Sequence, residues 1–135
     1  MNQNVDFILS AEFPTSPRTL YRAWIDGAGH AEMTGASATS DPRVDGEFTA
    51  WDGYISGVWL ELEPDRHLTM RWRTVQFPKT APSARVRVVF DPTPGGTRLT
   101  LTQEGTPPEQ VESYRRGWDE HYFEPIRVWL AESGV

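Results

Sequence analysis

The chain has no cysteine among its 135 residues. Disulfides, thiolate metal ligands and thiol nucleophiles are therefore excluded, and a reducing cytoplasm is the expected compartment. It has no long apolar run either, since nothing approaches the roughly 20 residues that a membrane-spanning helix needs. The opening Met1-Asn2-Gln3-Asn4-Val5-Asp6 lacks both a basic stretch and an apolar one, so no signal segment is expected there. Positive charge is scarce, with 13 Lys and Arg against 19 Asp and Glu and a formal net charge of −6. Nucleic acids and anionic membranes call for a net basic face, so neither is an expected partner. The histidines are His30, His67 and His121, scattered over an early loop or helix, an outward strand position and the last helix. Without converging ligands or short ligand spacing, no metal site is expected, and no cofactor. No Gly-x-Ser-x-Gly elbow and no phosphate-cradling loop occurs; Gly95-Gly96 reads as a hairpin turn.

Aromatic side chains are what the chain has in quantity: six Trp, four Tyr and six Phe. Such rings fill a core or line an apolar cavity. At this length the expectation is one domain spanning residues 1–135, large enough to bury a core without staples.

The aromatics concentrate in a last helix expected from about Thr106 to Glu132, roughly 35 to 40 Å long. On a helical wheel Val111, Tyr114, Trp118, Tyr122, Pro125 and Trp129 share one face, flanked by His121, while Phe123 points elsewhere, toward a loop or a second subunit. Glu112, Arg116 and Glu120 form a solvated row on the other side. Thr106-Pro107-Pro108-Glu109 has the spacing of a capping box with proline in the first turn. Pro125 removes one backbone hydrogen bond and predicts a kink between His121 and Pro125.

Upstream, Val5 to Phe13 alternates as a half-buried strand. Ser16 then caps a short helix that begins at Pro17 and runs to Ile25, and a second short helical piece ends before Gly35. From Gly46 onward a meander is expected: Glu47–Trp51, a two-residue hairpin at Asp52-Gly53, Tyr54–Leu62, His67–Phe77, Ala84–Phe90, a turn cluster over Asp91–Gly96, and Thr97–Glu104. Alternation assigns Val58, Leu60, Met70, Trp72, Val86, Val88, Leu101 and Gln103 to one inner face. Arg71, Arg73, Arg85, Arg87 and Arg98 fall on the outer face, paired with Glu61, Glu63 and Glu104. The fold class is thus α+β, a curved antiparallel sheet wrapped around a long C-terminal helix, with two short helices after the first strand.

Tyr54-Ile55-Ser56-Gly57 with Leu60-Glu61-Leu62 and Pro64, then Arg71-Trp72-Arg73, the run from Gly96 to Gln103, and Gly117-Trp118 with Tyr122 and Pro125 together carry a family resemblance. Over nearly its whole length the chain resembles the helix-grip fold of the START-like (SRPBCC) superfamily, and within it the bacterial homologues of the activator of the heat-shock protein 90 ATPase. The resemblance implies a deep apolar cavity between sheet and helix rather than a known reaction.

The expected function is binding of a small hydrophobic ligand, ring-containing or acyl, without established catalysis. The expected lining is Val58, Leu60, Met70, Trp72, Val86, Val88, Leu101, Gln103, Tyr114, Trp118, His121 and Tyr122. Gln103, polar on an apolar alternation, pairs with a backbone or helix group or faces the cavity. Alternatives are an interaction module acting on a chaperone ATPase, and an aromatase- or cyclase-type enzyme using His121, Tyr122 or Asp119. A protein partner and a monomeric or homodimeric state fit these readings. Gly117 is expected to permit close approach of the helix to the sheet.

Overall fold

A computed structural model describes residues 4–133. β1 (Val5–Phe13) is followed by α1 (Pro17–Ile25) and α2 (Gly27–Thr34). The meander is β2 (Thr39–Ser40), β3 (Glu47–Ala50), β4 (Ile55–Glu63), β5 (His67–Thr74), β6 (Ala84–Thr93) and β7 (Gly96–Thr106). α3 (Val111–Trp118) and α4 (Glu124–Glu132) follow. The strands form one antiparallel sheet in the order β1-β7-β6-β5-β4-β3-β2, so the first strand returns beside the last. This is the helix-grip architecture, a curved sheet closed by the C-terminal helical segment. Among the described residues no helix is long and apolar enough to cross a membrane.

Local chemistry accounts for the early elements. The Ser16 hydroxyl accepts from the Thr19 N–H and Pro17 takes the first helical position, satisfying one orphan donor and removing another. Gly35 ends α2 in the left-handed conformation at φ 86°, where glycine carries no Cβ penalty.

Four expectations need correction. First, Asp52-Gly53 is not a two-residue hairpin. Ala50 pairs with Ile55, so the loop holds Trp51 to Tyr54, with Trp51, Asp52 and Gly53 all at positive φ. Second, β6 runs on through Asp91 and Pro92, and Thr93 pairs with Gly96, leaving only Pro94 and Gly95 as the turn. Pro92 is tolerated because β5 pairs with β6 only as far as Val89 and the Phe90 N–H still reaches the Arg66 carbonyl, so among the described residues Pro92, two positions further on, lies past the paired part of that edge.

Third, the phase of β4 is shifted. Trp59 pairs with Met70 and Glu61 with Thr69, leaving Leu60 as a bulged residue. One inserted residue exchanges the faces of a strand. Ile55 and Trp59 are therefore the buried positions, while Val58 lies opposite the exposed, outward Arg71. Val58 and Leu60 do not belong to the inner face.

Fourth, the last helix is neither capped by Thr106 nor uniform. Thr106 ends β7 and its hydroxyl accepts from Gln103 Nε2 at 3.0 Å; a 3₁₀ turn at Pro108–Gln110 precedes α3. The predicted break near Pro125 is a π turn over Asp119–Phe123. The wider turn rotates the following face. Phe123 is thereby buried and meets Phe13 edge to face at 6.1 Å. Ile126 is buried too, and Trp129, expected at the centre of the stripe, is only half-buried.

On the outer face Arg85 pairs with Glu104 and Arg87 with Glu61, as expected, but Arg98 pairs with Glu12. Arg73 instead donates to the carbonyls of Pro78 and Ala81, tying down the β5–β6 loop.

Candidate functional site

The interior between sheet and helix is filled. Met70, Val86, Val88 and Leu101 are at most 1% exposed. Gln103 is fully buried with both ends engaged, its Oε1 accepting from Trp118 Nε1 at 2.8 Å and its Nε2 donating to Thr106. The structure thus selects the helix partner for Gln103. The deep cavity expected over these residues is a packed core.

The opening lies to one side, where α3 and the π turn pass the β3–β4 loop. A pocket of about 330 Å³ is floored by Trp72, Tyr114, Trp118 and Tyr122. Trp51, Tyr54 and Ile55 line it from the β3–β4 loop and the start of β4; Ser113, Arg116, Gly117, Glu120 and His121 line it from α3 and the π turn. The floor is continuous aromatic surface: Trp72 lies 5.2 Å from Tyr114 and 5.5 Å from Trp118, and Trp118 lies 4.7 Å from Tyr122. An apolar basin of this size with polar groups at its rim is the usual form of a small-molecule site. A second, broader depression of about 600 Å³ sets Arg18, Arg66 and Arg87 among Asp65 and Asp91. His67 lines it, and among the described residues its Nδ1 is buried without a hydrogen-bond partner.

Gly117 contradicts its expected role. A Cβ built there would meet only His121 Cδ2, at 3.9 Å, and no atom of the sheet. Glycine inside a helix costs about 0.5–1 kcal/mol relative to alanine. Here no close contact explains it; what its missing side chain leaves is pocket space. Gly57 is the opposite case, because an added Cβ would lie 1.9 Å from the Arg71 carbonyl oxygen and 2.7 Å from the Phe48 ring.

Two hydrogen-bond systems hold the walls. Tyr114 donates to Gln110 Oε1 at 2.7 Å, and the Thr74 hydroxyl, 2.5 Å away, is left to donate to Tyr114. Burial raises the Tyr114 phenol to about 12. Tyr122 meets His30 Nε2 at 2.7 Å, while His30 Nδ1 lies 2.9 Å from the Trp24 carbonyl. A carbonyl only accepts, so Nδ1 carries the proton and Nε2 accepts from Tyr122. Burial lowers His30 to about 4 and pushes the Tyr122 phenol far above its ordinary value. Both are neutral at pH 7. Trp24 stacks on Tyr122 at 5.1 Å and completes the cluster.

The Trp51 indole N–H reaches the His121 carbonyl at 3.2 Å, and its ring meets the His121 ring at 4.9 Å. The residue four positions on, the ordinary helical donor to that carbonyl, is Pro125, which has no N–H. Asp52 beside it accepts from the Ser37 N–H and hydroxyl at 3.0 and 2.8 Å. These donors hold the Asp52 carboxyl below its ordinary range.

Compared with known proteins, the family described as Activator of Hsp90 ATPase homolog 1-like protein matches residues 14–131. The chain belongs to this family. The Activator of 90 kDa heat shock protein ATPase homolog 1 of Homo sapiens is 34% identical over 119 residues, 88% of this chain and 35% of the human protein. Homolog 2 of Mus musculus is 30% identical over 122 residues, 90% of this chain and 37% of that protein. The chain therefore spans about a third of the length of the curated relatives it matches. Among solved structures, an HSP90 activator from Plasmodium falciparum superposes with a TM-score of 0.82 at 23% identity, covering 93% of this chain and 96% of that one. A Staphylococcus aureus protein of unknown function superposes with a TM-score of 0.80 at 15% identity, covering 98% and 97%. At these identities the two structures establish the fold.

Within this Activator of Hsp90 ATPase homolog 1-like domain, the structure brings Trp72, Tyr114, Trp118, His121 and Tyr122 together around the pocket. Met70, Val86, Val88, Leu101 and Gln103 belong to the packed core. Sequence reasoning missed Trp51, Tyr54 and Ile55, because the Asp52-Gly53 signal read as a tight turn drew attention from its neighbours. It also missed His30, which sits on α2. The one signal for Gly117 was a glycine inside a strongly helical pattern.

Proposed function

We propose that the chain binds a small hydrophobic molecule in the pocket beside α3, and that it does so without catalysing a reaction. The observation that carries this is Gly117. A helix-interior glycine with no close packing contact gives up stability and leaves an aromatic basin open. The polar groups support binding over chemistry. Tyr122 is committed to His30 and its phenol is far from titrating near pH 7, while Asp119 is exposed and lies outside the pocket lining.

The test uses Nile red, whose emission rises in apolar surroundings. The unmodified protein is expected to bind it, and Gly117→Leu to abolish binding while remaining folded by circular dichroism. Equal dye binding by both proteins overturns the assignment of the pocket.

A second reading draws on the relatives, whose names describe activators of a heat-shock protein ATPase. We propose action on a chaperone ATPase as the alternative function. It predicts that the purified chain stimulates ATP hydrolysis by a 90 kDa heat-shock protein; no stimulation at saturating chain would remove it.

A further inference from the structure

The aromatic lining of the pocket has spent most of its hydrogen-bond donors inside the protein. The Trp51 indole donates to the His121 carbonyl and the Trp118 indole to Gln103. The three phenols commit their protons likewise: Tyr54 donates to Gln76 Oε1 at 2.6 Å, Tyr114 to Gln110 and Tyr122 to His30. What these five side chains still offer a ligand is electron-rich ring surface and phenol oxygen. An anion is held by donors, and five of those here are engaged. A cation that carries no N–H needs no hydrogen-bond partner and is drawn to ring faces.

Other rings of this protein already carry cations. The guanidinium of Arg73 lies over Phe77 at 5.4 Å, that of Arg115 over Phe7 at 5.5 Å and that of Arg127 over Phe13 at 5.2 Å. Tryptophan is a better platform for a cation than phenylalanine, yet among the described residues no arginine lies over a ring of the pocket lining. Charge at the rim favours the same class of ligand. Among the described residues the lining carries one arginine, Arg116, and one carboxylate, Glu120, which offset each other. The charges next along the chain are Asp52, after Trp51, and Asp119, before Glu120. Arg115 is turned to Glu112 and Phe7, and Arg73 to the carbonyls of Pro78 and Ala81. In a chain of net charge −6, this leaves a field that attracts cations over anions.

We infer that this pocket takes a hydrophobic organic cation, a quaternary ammonium group on an apolar body, seated against Trp51 and the aromatic floor with Glu120 beside its charge. This rests on the pocket being the binding site, and it names the class of molecule bound there. The charge of such a group is spread over alkyl carbons. It therefore meets ring faces without leaving a donor unpaired. A neutral molecule of the same shape would gain from apolar area alone.

Competition for Nile red by two molecules of one shape tests this: benzyltrimethylammonium, and neopentylbenzene, in which carbon replaces the charged nitrogen. Both are expected to displace the dye from the unmodified protein. Trp51→Leu removes a ring; Glu120→Gln removes only a charge, at an exposed position. Each should weaken the cation more than its isostere. The ratio of their affinities should fall by roughly 2- to 30-fold for the ring, the span of cation–π contacts, and by a smaller, salt-sensitive factor for the charge. A ratio that either substitution leaves unmoved, or displacement by the isostere alone, would overturn the cationic ligand and leave the binding site standing. Failure of the unmodified protein to take up the dye, or uptake by Gly117→Leu at the same affinity, would overturn both.

Discussion

The phenol of Tyr122 donates to Nε2 of His30 at 2.7 Å, across 92 residues of sequence. This bond joins α2 to the π turn of the C-terminal segment. With Nδ1 held by the Trp24 carbonyl, the imidazole has both nitrogens occupied only in its neutral form. A second proton on Nε2 would face a hydroxyl that must turn around to accept it, in a site too buried to solvate the charge.

Stability should accordingly fall in acid. His30 titrates near 6.5 when unfolded and about 4 when folded. Between those values the unfolded chain binds more protons, so stability rises with pH across that window. This contribution is complete above about pH 6.5, lost as pH falls toward 4, and worth about 3 kcal/mol. Urea unfolding at pH 7 and pH 4.5 measures it. His30→Gln should flatten the slope by most of that amount; an equal slope in the variant would show that other groups dominate.

Gln103→Leu should destabilise by about 1–3 kcal/mol, because it leaves the buried Trp118 indole N–H without an acceptor. The effect is one of pairing rather than volume. Adding Trp118→Phe in the same chain should then cost less than Trp118→Phe does alone, and a denaturant-based double-mutant cycle reads the difference. Additive effects would contradict the pairing.

Gly117→Ala should raise stability by about 0.5–1 kcal/mol, since the new methyl meets nothing closer than His121 Cδ2 at 3.9 Å. The thermal midpoint checks it. A lower midpoint would return the glycine to a packing role.

Gly57→Ala should do the reverse. Its Cβ would collide with the Arg71 carbonyl oxygen at 1.9 Å and with the Phe48 ring, which stacks on Trp59 at 4.5 Å. A loss of about 3 kcal/mol or more, or no soluble protein, is expected from forced movement of backbone. Thermal unfolding of the two alanine variants side by side separates the glycine that packing requires from the one that leaves space.

Much of this fold was legible because its signals are local. Alternation along β5, β6 and β7 states which side chains are buried, and Ser16, Pro17 and Gly35 mark helix ends through hydrogen bonds spanning only a few residues. The aromatic residues of the last helix likewise announced a surface to cover. Where the reading failed, the deciding neighbour was distant. The bulge at Leu60, which sends Val58 outward, is set by pairing with β5. Thr106 looked like a helix cap but satisfies Gln103 instead.

The site divides in the same way. Sequence by itself determined that Tyr114, Trp118 and Tyr122 share a helix face turned toward an apolar sheet, because helical period is a property of the chain. Only the tertiary structure decided that Met70, Val86, Val88 and Leu101 close into solid core while the opening falls between Trp51 and Gly117. Packing density depends on how side chains from separate elements interlock, and no periodicity encodes that. The π turn that buries Phe123 and the carbonyl that receives Trp51 belong to the same class of outcome. Pro125 predicts that a hydrogen bond is missing, and the fold decides which donor takes its place.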